Sequence, residues 1–343
     1  MIARIPAAAT LKDVARLAGV SLPAASYALR GMRKVSAPVR QRVAAAAAQL
    51  GYRPHSAARA MARGRFGAVT LLQDAYMRHS FINAQLLAGI QEALERHELS
   101  LNLVRLTREQ MSSQAILPRE LRELCTDGLL VNVNTAPPRA MSAVLRRARI
   151  PAIWLNIRRS CDCVHPDDFG GSGLLVRELL KVGARRIGYF DSVAGESDEH
   201  YSRRDRYMGY LAAMRQEGLA PLSLRVRAGA GLGRAADAML RWLRDGEPLD
   251  ALMTYAETEL DLYVHYVQPG LAGRRQPRLA SFFNAHQRMV MPALRAQHPW
   301  LELGRQAVEC LLLKVRNPAR RIKPRSVPFE IANPIELACE RTR

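Results

Sequence analysis

Twelve of the first 66 residues are Lys or Arg (Arg4, Lys12, Arg16, Arg30, Arg33, Lys34, Arg40, Arg42, Arg53, Arg59, Arg63 and Arg65), and Asp13 is the one acid among them. Twelve against one leaves a net +11, more than half of the +20 carried by all 343 residues. Side chains of this kind do no covalent chemistry. At this density they suit a polyanion, whose condensed counterions are released as its phosphates are neutralised. Covalent chemistry has few candidates. The chain has no phosphate loop, no Gly-x-Ser-x-Gly elbow and no His/Glu spacing of a metal site. Its eight histidines are scattered, with His165 and His286 each standing alone. The five cysteines (Cys125, Cys161, Cys163, Cys310, Cys339) include one Cys-x-Cys without a second pair, which reads as reduced structural thiols. The expectation is a protein that is not an enzyme and has no cofactor, no metal and no catalytic residue.

The basic segment must be positioned by short helices. Thr10 is placed to cap the first, with Asp13 three residues on in a capping-box arrangement. Leu11, Val14, Ala15 and Ala18 share one face at helical spacing, and Gly19 stops the helix. A tight turn, Gly19-Val20-Ser21, leads to a second helix capped by Ser21, with Pro23 in its first turn and Ala25, Ala28 and Leu29 as its apolar face. Two helices joined by a Gly-containing turn of this length form a helix-turn-helix, whose second helix enters the DNA major groove. Ser36 is placed to cap a third helix running to Leu50, with Pro38 in its first turn and Gly51 as a left-handed stop. His55 to Ala62 fits one more short amphipathic helix.

These residues carry a resemblance to the lactose/galactose-repressor family of bacterial transcription regulators, whose DNA-binding end reads close to T-x-x-D-V-A-x-x-A-G-V-S-x-x-T-V-S. In register are Thr10, Asp13-Val14-Ala15, Ala18-Gly19-Val20-Ser21 and Ser26, then Val35-Ser36, Arg40, Arg42-Val43, Leu50-Gly51-Tyr52, Pro54 and Ala58-Arg59. Two positions depart: Ala24-Ala25 stands where the family has Thr-Val, and His55 where it has Asn. The resemblance implies that Leu22, Pro23, Ser26 and Tyr27 face the groove, with apolar readout by Leu22 and Pro23 and a polar base contact from Tyr27. Thr10, Ser21, Arg30, Arg33, Lys34, Arg40 and Arg59 would hold phosphates. Met61 falls where the family's hinge helix, about 54–62 here, carries an apolar wedge for the minor groove. A homodimer on a pseudo-palindromic double-stranded DNA operator is implied as well.

From Phe66 onward the pattern changes. Short apolar runs (67–72, 99–106, 128–133, 152–155, 186–190, about 250–255, 279–283) alternate with helical stripes near 80–97, 139–148, 170–182, 206–217, 232–245 and 257–267. Such alternation predicts parallel sheets covered by helices, and about 270 residues of it predict two lobes. With 48% apolar residues the chain can bury a sizeable core, and no 18-residue apolar run marks a membrane span. The nine residues before the first capped helix are too few for a signal peptide, which points to the cytoplasm.

This second part resembles the two-lobed periplasmic-binding-protein fold of the same family through Asp167-Asp168-Phe169-Gly170-Gly171, Leu179-Leu180, Gly183-Ala184-Arg185-Arg186-Ile187, Arg206, Gly209-Tyr210 and Leu303 to Val308. The implied fold class is a small all-α helix-turn-helix domain (1–66) followed by a two-lobed α/β effector and dimerisation domain with parallel sheets (67–343). The first lobe is expected near 67–160 plus 289–328, the second near 161–288 plus 329–343. The cleft between such lobes is the default ligand site. By resemblance Asp168 and Arg206 hold effector hydroxyls, with Asp74, Ser80 and Phe81 on the opposite wall and Asn284 near the strand at 279–283. The alternative for Asp168 and Arg206 is an ion pair between loops.

Ala256-Glu257 replaces the Asn-Asp of sugar-binding relatives, and Asn284 or Ala285 replaces an Asp. Together with Arg203, Arg204 and Arg206 this opens the effector class to a sugar, a sugar acid or another anion. It equally admits a regulator that needs no effector. A solute-binding receptor would need a signal peptide and no basic module.

Overall fold

Helix α1 (Leu11–Ala18) begins at a complete capping box and ends at Gly19, whose φ of 64° is the left-handed stop. Helices α2 (Leu22–Leu29) and α3 (Ala37–Gln49) follow, each with proline in its first turn. Ser36 occupies the cap of α3 but makes no side-chain hydrogen bond there. Val14, Ala15, Ala18, Ala25, Ala28, Val35, Val43, Ala46 and Ala47 form the core. Six of those nine are alanine, so the three helices approach closely around little volume. The computed structural model describes residues 9–32, 34–53, 65–74, 82–107, 110, 126–133, 139–193, 200–227, 231–284 and 292–332. The chain divides into two compact units, Met1–Gly67 and Ala68–Arg343.

The second unit contains two six-stranded sheets. The first has the order β11-β5-β4-β3-β1-β2, from β1 (Ala68–Asp74), β2 (Ser100–Leu106), β3 (Gly128–Asn132), β4 (Ala152–Leu155), β5 (Cys163–Pro166) and β11 (Arg325–Val327), every pairing parallel. The second has the order β12-β10-β9-β8-β6-β7, from β6 (Ile187–Val193), β7 (Leu222–Arg227), β8 (Ala251–Thr254), β9 (Arg278–Phe283), β10 (Leu294–Gln297) and β12 (Glu330–Ala332). Only β12, at its edge, runs antiparallel. Strands β3, β4 and β8 are buried along their whole length, as parallel strands with helices on both faces must be.

Helices α4 (Ala84–Glu95) and α10 (Trp300–Arg316) cover one face of the first sheet, and α5 (Arg139–Arg147) lies on the other. Gly89 and Gly304 let α4 and α10 touch. A β-carbon at Gly89 would run into the Leu301 carbonyl, and one at Gly304 into that of Leu86. The second sheet is flanked by α6 (Asp168–Lys181) and α7 (Tyr201–Gln216) on one face and by α8 (Gly231–Asp245) and α9 (Glu257–Leu262) on the other. The helix expected over 257–267 stops at Leu262 and continues as a π turn, Tyr263–Val267.

The lobe boundaries differ from the expected ones. Strand β5 belongs to the first sheet, so that lobe continues to Pro166 rather than 160. Strand β10 belongs to the second, so the return crossing lies near His298 rather than 288. Both strands are short and interrupted by polar residues, Cys-Val-His-Pro and Leu-Arg-Ala-Gln, so neither gives an apolar run. The chain crosses between the sheets after β5, after β10 and between β11 and β12. Among the described residues no helix is long and apolar enough to cross a membrane.

Candidate functional site

In the helical unit, α2 buries Ala25 and Ala28, exposes Leu22, Pro23 and Arg30, and holds Ser26 and Tyr27 half-buried, with Tyr27 packed against the edge of the core. Leu22 is 41% exposed, high for a leucine on an eight-residue helix. Cations gather around Tyr27: the Arg30 guanidinium and the Lys34 ammonium each lie 5.8 Å from its ring centroid, within cation–π range. Ser26 is taken up locally, its Oγ accepting from Nε and Nη2 of Arg30. That bond fixes the guanidinium beside the exposed stripe.

The other candidate phosphate contacts serve the fold first. The Thr10 hydroxyl donates to Oδ2 of Asp13 at 2.6 Å and accepts from its amide. The Thr10 hydroxyl and backbone amide, both donating to Oδ2, pull the Asp13 carboxyl below its usual value. Ser21 Oγ accepts from the Ala24 amide at 3.3 Å, and Arg40 Nη1 donates to the Val35 carbonyl at 2.6 Å. Arg33, Arg59, Met61 and the hinge segment 54–62 lie outside the described residues, as do Ser80, Phe81 and the side chain of Asp74.

In the second unit the three crossings converge on Arg206. From α7 its Nε donates to Oδ1 of Asp168 at 2.6 Å, on the first crossing. Nη1 donates to the Tyr255 carbonyl at 2.7 Å, and Nη2 to Nε2 of His298 at 3.2 Å, on the second. The guanidinium also stacks over Phe282 at 3.9 Å and faces Phe329, beside the third crossing, at 6.0 Å. Asp168 and Arg206 are buried, at 1% and 4% exposure. Burial works against the charge on Arg206, but Asp168, Tyr255 and Tyr189 together outweigh it, so the guanidinium is held above its usual value. The two residues expected to hold a ligand thus hold each other. Oδ2 of Asp168 and Nδ1 of His298 are buried with no hydrogen-bond partner among the described residues.

Around this pair the cleft wall is densely bonded. Arg203, on which an anionic effector was expected to rest, donates to Asp191 and lies 4.0 Å over the Tyr255 ring. Arg225 takes the other Asp191 oxygen at 3.3 Å. Arg204 is exposed. Asn284 accepts from Trp300 Nε1 at 2.7 Å, and its amide donates to Oε1 of Glu257. Burial pushes the Glu257 carboxyl up to about 7. Two further contacts tie the loop after β4 to α7: Arg158 to Asp205 at 2.6 Å, and His200 Nε2 to the Asn156 carbonyl at 2.7 Å.

Sequence reasoning missed Tyr255, His298 and Glu257 as members of this cluster. His298 follows a four-residue strand, and Tyr255 contributes a carbonyl and a ring face, neither of which has a sequence signature. Glu257 stands out in the sequence only as a departure from the pattern of sugar-binding relatives.

Comparison with known proteins follows the same division. Residues 10–55 match "Bacterial regulatory proteins, lacI family", and residues 68–317 match "Periplasmic binding proteins and sugar binding domain of LacI family". The maltose regulon regulatory protein MalI of Escherichia coli (strain K12) is 26% identical over 341 residues, covering 94% of this chain and 97% of its own. The ribose operon repressor of the same strain is 26% identical over 323 residues, covering 90% and 94%. The crystal structure of the Lac repressor dimer bound to operator and the anti-inducer ONPF shares the fold, with a TM-score of 0.71 at 19% identity over 95% of this chain and 98% of that one. With a family match over 68–317 and a second over the helical unit, the chain belongs to the LacI family of bacterial regulatory proteins.

Proposed function

We propose that the protein is a sequence-specific transcriptional repressor that binds a pseudo-palindromic duplex operator as a homodimer, its affinity set by a small molecule held between the lobes of the second unit. The observation that carries the DNA-binding part is the outer face of α2, where exposed Leu22 and Pro23 and half-buried Tyr27 stand beside the Arg30 and Lys34 cations. Apolar groups and one phenol suit base edges and thymine methyls, and flanking cations suit phosphates. Selection of binding sites from random duplexes tests this. The full chain should enrich a two-fold symmetric sequence, and a chain lacking residues 1–66 should enrich none. Retained specific binding by the shortened chain refutes the assignment.

For the ligand, Asp168 Oδ2 and His298 Nδ1 supply one acceptor and one donor on two crossings, both without a partner among the described residues. A hydroxylated molecule satisfies both, and a sugar or sugar alcohol fits better than an anion, because Arg203 and Arg206 already face carboxylates. A second reading, an effector-independent regulator, is favoured by one observation: each of the three Arg206 nitrogens has a partner within the protein. Thermal-shift titration with neutral sugars, sugar acids and phosphates separates the two. A saturable shift lost in Asp168→Asn supports the first, and no shift with any of them supports the second.

A further inference from the structure

The end of the first lobe away from the crossings contains a cavity of about 690 Å³. It is lined by the C-terminal ends of α5 and α10, the start of β4, the loop before β5 and the residues after α10. Trp300, at the crossing end of α10, is separated from Lys314, at the cavity end, by about 21 Å at 1.5 Å per residue. The cavity is therefore distinct from the Arg206 cluster.

Its charge is one-sided. Arg146, Arg149, Arg159, Lys314 and Arg321 line it, against the single carboxylate of Asp162. That carboxylate is spent, Oδ2 accepting from Lys314 Nζ at 2.8 Å and Oδ1 from the Ile322 amide at 2.9 Å. Among the described residues no carboxylate lies within ion-pair distance of Arg146, Arg149, Arg159 or Arg321. The C-terminal dipoles of α5 and α10 account for Arg146, Arg149 and Lys314. They do not account for Arg159 and Arg321, which are brought in from two separate loops. Arg159 is half-buried, its guanidinium 4.4 Å over the Trp154 ring and its Nη2 bonded to Ser142 Oγ at 3.3 Å. Burial holds this guanidinium below its usual value, and the nearby Cys163, Cys161 and Asp162 offset that only in part.

We infer that this cavity is a second small-molecule site, which takes a compact organic polyanion (a phosphate ester or a polycarboxylate) on the Arg146, Arg149, Arg159 and Arg321 guanidinium groups. The volume is that of a metabolite pocket. Guanidinium forks match carboxylate and phosphate oxygens two at a time. Leu145, Ile150, Trp154 and Pro318 give the ligand's carbon skeleton an apolar wall, which a bare inorganic ion would leave uncovered.

The test uses the full-length protein with pyrophosphate and citrate as probes and sulfate at equal ionic strength as the control. The expected result is a saturable rise in Tm with pyrophosphate or citrate, the better of the two identifying the ligand class. Cys161 lies at the cavity. Its alkylation by N-ethylmaleimide, followed by peptide mass spectrometry, should slow about tenfold at a ligand concentration near ten times Kd. The exposed pair Arg146→Glu/Arg321→Glu should lose the Tm response while keeping operator binding. Arg146→Ser/Arg321→Ser serves if the charge reversal does not fold, and the labelling of the unaltered protein needs no variant. No saturable response to either probe, or a response kept in the double variant, overturns the inference. So does protection of Cys161 by an oligonucleotide alone.

Discussion

Nη2 of Arg206 lies 3.2 Å from Nε2 of His298, and a guanidinium has no lone pair to offer, so this contact fixes the imidazole tautomer. Nε2 accepts and Nδ1 carries the proton. The His298 ring is held between Trp300, stacked at 5.0 Å, and Phe329 at 5.1 Å. Residues on two crossings are therefore locked to a side chain of α7, with the third represented by Phe329. Trp300 belongs to the first lobe's core, so rotation of one lobe against the other must break or redirect its stack on His298.

A pH dependence follows from the same contact. Burial first, and the Arg206 charge second, hold His298 well below the usual histidine value. The folded protein keeps it neutral, while the unfolded chain takes up a proton below about pH 6.5. The unfolded state then binds more protons, so stability falls as pH drops through that value, at about 1.4 kcal/mol per pH unit for one proton. His298→Gln keeps an acceptor for Arg206 and removes the titration. Denaturant melts between pH 7 and 5 should show a shallower acid loss for the variant, whereas parallel profiles would assign the acid sensitivity elsewhere.

The Asp168–Arg206 pair makes a different prediction. Removing one partner strands a buried charge, which costs about 3–5 kcal/mol, while replacing both by neutral groups costs far less than the two single changes together. Urea unfolding of Asp168→Asn, Arg206→Met and the double variant measures the coupling directly. Additive losses would mean that the two side chains do not depend on each other.

Legibility in the sequence followed the length and regularity of the signal. The helical unit was readable almost residue by residue, because Thr10, Gly19, Ser21, Pro23 and Gly51 are local devices whose meaning does not depend on distant chain. The long helices and β1, β3, β4 and β9 were readable from apolar runs. Strands β5 (Cys-Val-His-Pro) and β10 (Leu-Arg-Ala-Gln) were not, since His165, Arg295 and Gln297 break any apolar run, and that displaced both lobe boundaries. The sequence also named Asp168 and Arg206 as partners for a ligand, with an ion pair between them as the alternative, and the pair is what forms. That they face each other depends on how α6 and α7 pack, with Gly209 allowing approach to the Phe169 carbonyl, a tertiary fact without a local signature.

Glu257 gives the opposite pH signature from His298. Its carboxyl is raised from 4.5 to about 7, chiefly by burial. Between those values the folded protein keeps a proton that the unfolded chain has lost, so stability declines as pH rises through the window and levels off above it. Glu257→Gln retains the oxygen that accepts the Asn284 amide and removes the cost. A gain of about 3 kcal/mol above pH 7, shrinking toward pH 4.5, is expected in chemical denaturation. An equal change at both ends would mean that the variant acts through packing.

Under the proposed function, labour at α2 is divided between the Tyr27 phenol and the cations beside it. Arg30 is anchored by Ser26 and, like Lys34, stands 5.8 Å from the Tyr27 ring. Arg30→Ala and Lys34→Ala should each weaken binding to every duplex alike and lower the slope of log affinity against log salt by about 0.9 for each phosphate left without its cation. Tyr27→Phe keeps the ring that orients both cations and deletes only the hydroxyl, so it should leave the salt slope unchanged and relax preference at one base position. Tyr27→Ala removes both roles and should do both. Site selection and salt titration on the four variants decide the matter. If Tyr27→Phe flattened the salt slope, the hydroxyl would be a phosphate contact, and base readout would rest on Leu22 and Pro23 alone.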